Sequence, residues 1–146
     1  MERRNFIKSC GYACIGGTAL AVLFQSCKTT KNLTAIISES DILLEINEFE
    51  IIKKGKTSYH GHIILDNDIL KHPICVFRIN ETNYSAVYLE CSHQGAELQV
   101  FGDKLHCPAH GAEFNNTGKV NNGPAEIQLR TFPITIDNNK LKISLK

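Results

Sequence analysis

The sequence predicts an all-β fold, a small antiparallel sandwich or barrel, and three observations carry that expectation. Short runs rich in β-branched and aromatic residues recur along the chain, at 42–48, 61–65, 74–80, 85–90, 98–101, 104–107, 127–132, 134–137 and 140–145. Turn-forming residues punctuate them, and no helical periodicity appears after the first 26 residues. The first run, from Ile42, and the next, from Gly61, are bounded by polar stretches, the second closing on Asn67-Asp68. Pro73-Ile74-Cys75-Val76-Phe77-Arg78-Ile79 is a strand-like run. The next run starts at Ser85. Leu98–Phe101 and Lys104–Cys107 flank Gly102-Asp103, a strong turn signal. Asn121-Asn122-Gly123 precedes the run from Ile127. The last pair alternates cleanly, Ile134-Thr135-Ile136-Asp137 against Leu141-Lys142-Ile143-Ser144-Leu145, around Asn138-Asn139.

The N-terminus has a different character. Met1-Glu2-Arg3-Arg4-Asn5-Phe6-Ile7-Lys8 is a basic start, Gly11 to Phe24 is uncharged, and Gln25-Ser26-Cys27 follows. Residues 1–26 therefore read as a signal peptide. Arg-Arg-x-Phe-Ile-Lys resembles the twin-arginine export motif, with Glu2 where a Ser or Thr usually leads. Leu23-Phe24-Gln25-Ser26-Cys27 resembles a bacterial lipobox, which makes Cys27 the expected lipid anchor and residues 27–35 a tether. As an uncleaved span the fourteen-residue apolar run is short, about 21 Å against a hydrocarbon core of about 30 Å.

Cleavage before Cys27 leaves 120 residues, the size of one domain, expected over 36–146. Losing Arg3, Arg4, Lys8 and Glu2 takes the net charge from +1 to −1, with 13 basic and 14 acidic side chains. No basic stripe is left, so nucleic acid is not an expected partner. Of the four cysteines remaining, Cys75 lies inside the run from Ile74 and reads as a buried, inert thiol.

Chemistry concentrates in two mixed clusters. They are Cys91-Ser92-His93-Gln94-Gly95 and Cys107-Pro108-Ala109-His110-Gly111. Along an extended chain the C-x-H ligands stand about 7 Å apart. The thirteen residues between His93 and Cys107 suffice for a hairpin that brings the clusters together. Zinc fingers pair like with like, C-x-x-C with H-x-x-x-H. A mixed pair in each half instead suits a two-metal cluster, one thiolate to one iron and one imidazole to the other from each loop.

These residues resemble the cluster-binding subdomain of the Rieske [2Fe–2S] family: C-x-H, a linker, C-x-x-H-G and then a Gly-Pro loop, here Gly123-Pro124-Ala125. The resemblance is strong over 91–134 and general over 36–146. It implies a cluster-binding subdomain on the all-β fold and one [2Fe–2S] cluster. Cys91 and Cys107 would hold one iron, and His93 and His110 the other. It also implies one-electron transfer with a redox partner, whether cytochrome, reductase or oxidoreductase subunit. High-potential members carry an extra disulfide whose cysteines fall at Ala96 and Ala109 here. They also carry Ser and Tyr hydroxyls at the positions of Ala112 and Phe114. Hydrogen bonds to the sulfurs raise the potential, so their loss predicts a low one.

The combined expectation is an exported, membrane-tethered electron carrier on the periplasmic side of a bacterial envelope, rather than a stand-alone enzyme. A second expectation is a Rieske subunit of a quinol:cytochrome or arsenite-oxidase-like complex. A third, non-redox one is a zinc-stabilised lipoprotein module. Among the other histidines, His106 should face away from Cys107 on its strand. Tyr59-His60-Gly61-His62 reads as a surface loop and His72 as a turn residue before Pro73.

Overall fold

The computed structural model describes residues 30–146, so the signal peptide, the lipobox and Cys27 lie outside the described residues. The chain is nearly all β. Five strands form the central sheet: β1 (Lys31–Thr34), β6 (His62–Asp66), β7 (Ile74–Arg78), β8 (Tyr84–Tyr88) and β13 (Thr131–Phe132), in the order β1-β6-β7-β8-β13. β1 runs parallel to β6, and the remaining pairs are antiparallel.

A second sheet packs on one face, in the order β14 (Ile134–Asp137), β15 (Lys140–Ser144), β3 (Asp41–Glu45), β2 (Ile37–Ser38). Alternation builds it. Leu141 and Ile143 of β15 and Ile42 and Leu44 of β3 point inward and are buried. Lys140 and Lys142 point outward to Glu45 and Asp41, at 2.9 and 3.0 Å. The other face of the central sheet carries a third sheet: β9 (Gln99–Phe101), β10 (Lys104–His106), β11 (Glu113–Asn115) and β12 (Val120–Asn122), in the order β12-β11-β10-β9.

The central sheet thus separates two cores. Ile74, Val76 and Ala86 face the first, with Phe49, Ile63 and Phe132. Cys75, Phe77 and Val87 face the second, with Leu89, Leu105, Phe114 and Leu129. Burial on both faces accounts for the unbroken apolar run of β7. Phe49 is fully buried, its ring 5.5 Å from that of Tyr84. Phe49→Ala is expected to cost about 3–5 kcal/mol and to lower the melting temperature by about 10–20 °C, as calorimetry would show.

Several boundaries differ from the sequence expectation. The run expected over 42–48 stops at Glu45, and Ile46–Phe49 forms a 3-10 turn that swings Phe49 into the core. The strand expected over 127–132 contracts to Thr131–Phe132, because the residues before it belong to a loop that seats Ala125 and Leu129 in the second core. Within the stretch expected as a tether, 27–35, Lys31–Thr34 pairs with β6, and Ala35 N–H donates to Asp66 O at 2.7 Å. The surface loop expected over 59–62 is only His60-Gly61. Tyr59 ends β5 (Lys56–Tyr59), which pairs with β4 (Glu50–Lys53), and His62 begins β6.

Candidate metal centre

Two loops of the third sheet carry the Cys/His clusters, and they are built alike. Cys91 N–H donates to Ala96 O at 2.8 Å, and Gly95 N–H donates back to Cys91 O at 2.8 Å. Cys107 N–H donates to Ala112 O at 2.8 Å, and Gly111 N–H donates back to Cys107 O at 2.9 Å. Each loop closes on a glycine in the left-handed region, Gly95 at φ 71° and Gly111 at φ 77°. A side chain there is strained, so the shared Cys-to-Gly spacing of four residues is a requirement of the turn. The first loop hangs from the Glu90–Glu97 bridge, the second from β10 and β11.

The result is two donor pairs carried by the same two loops, one of thiols and one of imidazoles. Cys91 and Cys107 are buried and unoxidised. They lie close enough for the Cys107 thiol to act on Cys91. His93 is half-buried, His110 is exposed, and their rings meet edge to face with centroids 4.8 Å apart. Among the described residues no three Cys, His, Asp or Glu side chains converge on one point. Two pairs side by side are what two irons with two protein donors each require.

Electrostatics fits the same group. Burial pushes the Cys91 thiol up, and the neighbouring Cys107 thiol adds to this. The backbone amides of His93 and Gln94 aim at the sulfur and pull the other way. Ionising Cys91 in this setting therefore calls for a positive centre beside its sulfur. Nδ1 of His93 is buried with no hydrogen-bond partner among the described residues, a free donor atom at the site. The 123–127 loop, whose Gly123–Pro124 peptide is cis, lies beside the first cluster loop. Ser92 Oγ donates to Ile127 O and ties this loop to the first one.

Ala112 and Phe114 are fully buried beneath the loops and bring no hydroxyl. Ala96 and Ala109 bring no thiol. Cys75 lies deeper in the same core, and burial pushes its thiol far above the ordinary range. Iodoacetamide at neutral pH is expected to leave Cys75 unmodified until the protein is unfolded, as peptide mass spectrometry would read. His106 turns outward between the buried Leu105 and Cys107, its ring 6.4 Å from that of Phe101.

Sequence reasoning missed one group at the site. His72 sits behind the first loop, with Nε2 3.8 Å from Glu90 and Nδ1 3.6 Å from Glu97, the two residues that bracket that loop. Lys71 Nζ donates to Glu90 at 2.8 Å. His72 N–H meets the Tyr88 hydroxyl at 3.2 Å. Nothing in the local sequence signals this, because the partners are remote along the chain.

Comparison with known proteins gives a consistent picture. The family described as Rieske [2Fe-2S] domain matches residues 50–133, more than half of the chain. The cytochrome b6-f complex iron-sulfur subunit of Chlorobaculum tepidum is 30% identical over 63 residues, 42% of this chain and 35% of that protein. The subunit of the same description from Trichodesmium erythraeum is 38% identical over 53 residues, 35% of this chain and 30% of that protein. The match thus spans about a third of the length of these curated relatives. Among solved structures, the cyanobacterial plasma membrane Rieske protein PetC3 from Synechocystis PCC 6803 superposes with a TM-score of 0.50 at 34% identity. That superposition covers 57% of this chain and 86% of that one.

Proposed function

This chain belongs to the Rieske [2Fe-2S] domain family, and on that premise we propose that it is an exported, membrane-tethered carrier of single electrons. Rieske domains bind a [2Fe–2S] cluster, which when bound accepts and releases one electron. The observation that carries the reading is the pair of matching loops, with two buried thiols side by side and two imidazoles beside each other toward the surface. In this reading Cys91 and Cys107 hold one iron and His93 and His110 the other. The second core keeps water from the sulfurs. The 123–127 loop shields the third side, and His110 offers the partner its point of approach.

The N-terminal features supply the location. A twin-arginine-like motif suits a protein folded around its cofactor before export, and the lipobox-like Cys27 suits a lipid anchor on the periplasmic side. Ala112 and Phe114 argue for a midpoint potential in the lower half of the range, which runs from about −150 to +300 mV. A second reading has an observation in its favour. The curated relatives are subunits of a cytochrome complex, so this chain would serve as the Rieske subunit of a quinol-oxidising assembly. The alanines at 96 and 109 weigh against it, because they leave no disulfide between the cluster loops.

The test is electron paramagnetic resonance of the dithionite-reduced protein combined with a redox titration. A Rieske-type rhombic signal with a low midpoint is the expected result. The same signal near the top of the range would select the quinol-oxidising subunit. Zinc in place of iron in the purified protein would end the electron-transfer reading.

A further inference from the structure

The β4–β5 hairpin contributes little to the fold and presents a basic tip. Neither core includes a residue from 50–61, and Ile52 is 72% exposed. Its turn, Lys54-Gly55, has φ of 49° and 74° and places Lys53 directly opposite Lys56. Like charges facing each other across a strand pair are destabilising. Among the described residues none of Lys53, Lys54 and Lys56 has an ion-pair partner. The carboxylate of Glu48, just before the hairpin, is held by Lys31 at 2.6 Å. Three uncompensated lysines around an exposed isoleucine are complementary to an anionic, partly apolar surface.

The hairpin's position adds a second argument. Thr30, the first described residue, lines the same cleft of about 730 Å³ as Lys53 and Ser58. The described chain therefore begins beside the hairpin. The cleft's far wall is Phe101-Gly102-Asp103, the turn between β9 and β10. β9 runs from the first cluster loop to that turn and β10 returns to Cys107. Three residues each way put the imidazoles roughly 10 Å or more from this end.

We propose that the Lys53-Lys54-Gly55-Lys56 turn, with Ile52, docks on an anionic phospholipid surface and points the His93/His110 end away from it. The proposal rests on the membrane-tether reading and specifies how the tethered domain stands. Each lysine brought to such a surface strengthens association about fivefold, so three give about a hundredfold. The effect fades as salt shortens the screening length from about 10 Å at 0.1 M to about 3 Å at 1 M.

The sequence contains no tryptophan, so Ile52→Trp makes a unique reporter in the full-length chain. It is compared in vesicles of phosphatidylcholine alone and of phosphatidylcholine with equal phosphatidylglycerol, with flotation scored in both. The expected result is a blue-shifted emission, quenched by brominated lipid, only with phosphatidylglycerol. High salt should abolish it. So should Lys53→Glu, Lys54→Glu and Lys56→Glu together, with iron content and melting temperature matching the parent. Flotation with both vesicles but no shift overturns the docking and leaves the tether standing. Flotation and shift with phosphatidylglycerol alone supports the docking and removes the tether. Failure of both refutes both. An unchanged lipid signal in the charge-reversed protein, with slower electron exchange, assigns the lysines to an acidic protein and overturns the lipid proposal.

Discussion

Replacing Cys107 with serine is expected to give a colourless protein with no iron and no low-temperature paramagnetic signal after reduction. Cys107 is fully buried, and its backbone N–H closes the second loop on Ala112 at 2.8 Å. A serine hydroxyl fits the space but stays protonated at any working pH, so it supplies no thiolate. Its oxygen would also sit unpaired in an apolar core beside Phe114 and Leu105, which costs about 1–3 kcal/mol. Iron analysis and the spectrum read the first effect, and thermal melting reads the second. His110→Ala is the companion variant. His110 is exposed, so its loss should remove iron with little loss of apolar packing. Wild-type iron content in both variants would refute the proposed ligand set.

The midpoint potential is expected to rise when hydroxyls are restored beneath the loops. Ala112→Ser and Phe114→Tyr together place two donors where the buried methyl and the phenyl ring now stand. A hydrogen bond to a charged group contributes about 1.5–3 kcal/mol. Partly realised in a crowded core, two such bonds correspond to a rise of about 50–100 mV, because 59 mV is a tenfold change for one electron. The increase should be visible in a redox titration at unchanged iron content. No change would mean that these positions do not set the potential.

The sequence spoke clearly wherever a pattern was local. Leu141 and Ile143 alternate with Lys140 and Lys142, and β15 buries one set and pairs the other with β3. The Cys/His clusters were legible because each loop carries its donors within four residues and ends on the glycine its turn needs. The hairpin at 50–59 was not legible. Its strands bury no face, so Glu50 to Tyr59 shows no alternation to read. Nor was the His72–Glu90–Glu97 group, which exists only because β7 and β8 bring residue 72 against the first loop. The strand expected from Ile127 failed for a related reason. Leu129 is buried against the second core from a loop, so its hydrophobicity reported burial and not strand geometry.

The parallel pairing of β1 with β6 would set the length of any lipid leash on Cys27. Four hydrogen-bonded positions, Lys31 to Thr34 opposite Ile63 to Asp66, fasten the chain to the sheet edge almost as soon as it enters the domain. If Cys27 carries the lipid, only four residue steps separate it from Lys31, about 14 Å when fully extended. A domain on so short a lead has no room to commute between a donor in the bilayer and an acceptor some tens of ångströms away. Electrons would have to be collected and delivered by partners that come to it. The rate of turnover should then follow the concentration and lateral diffusion of those partners, and lengthening the lead with inserted residues should change which partners it can serve.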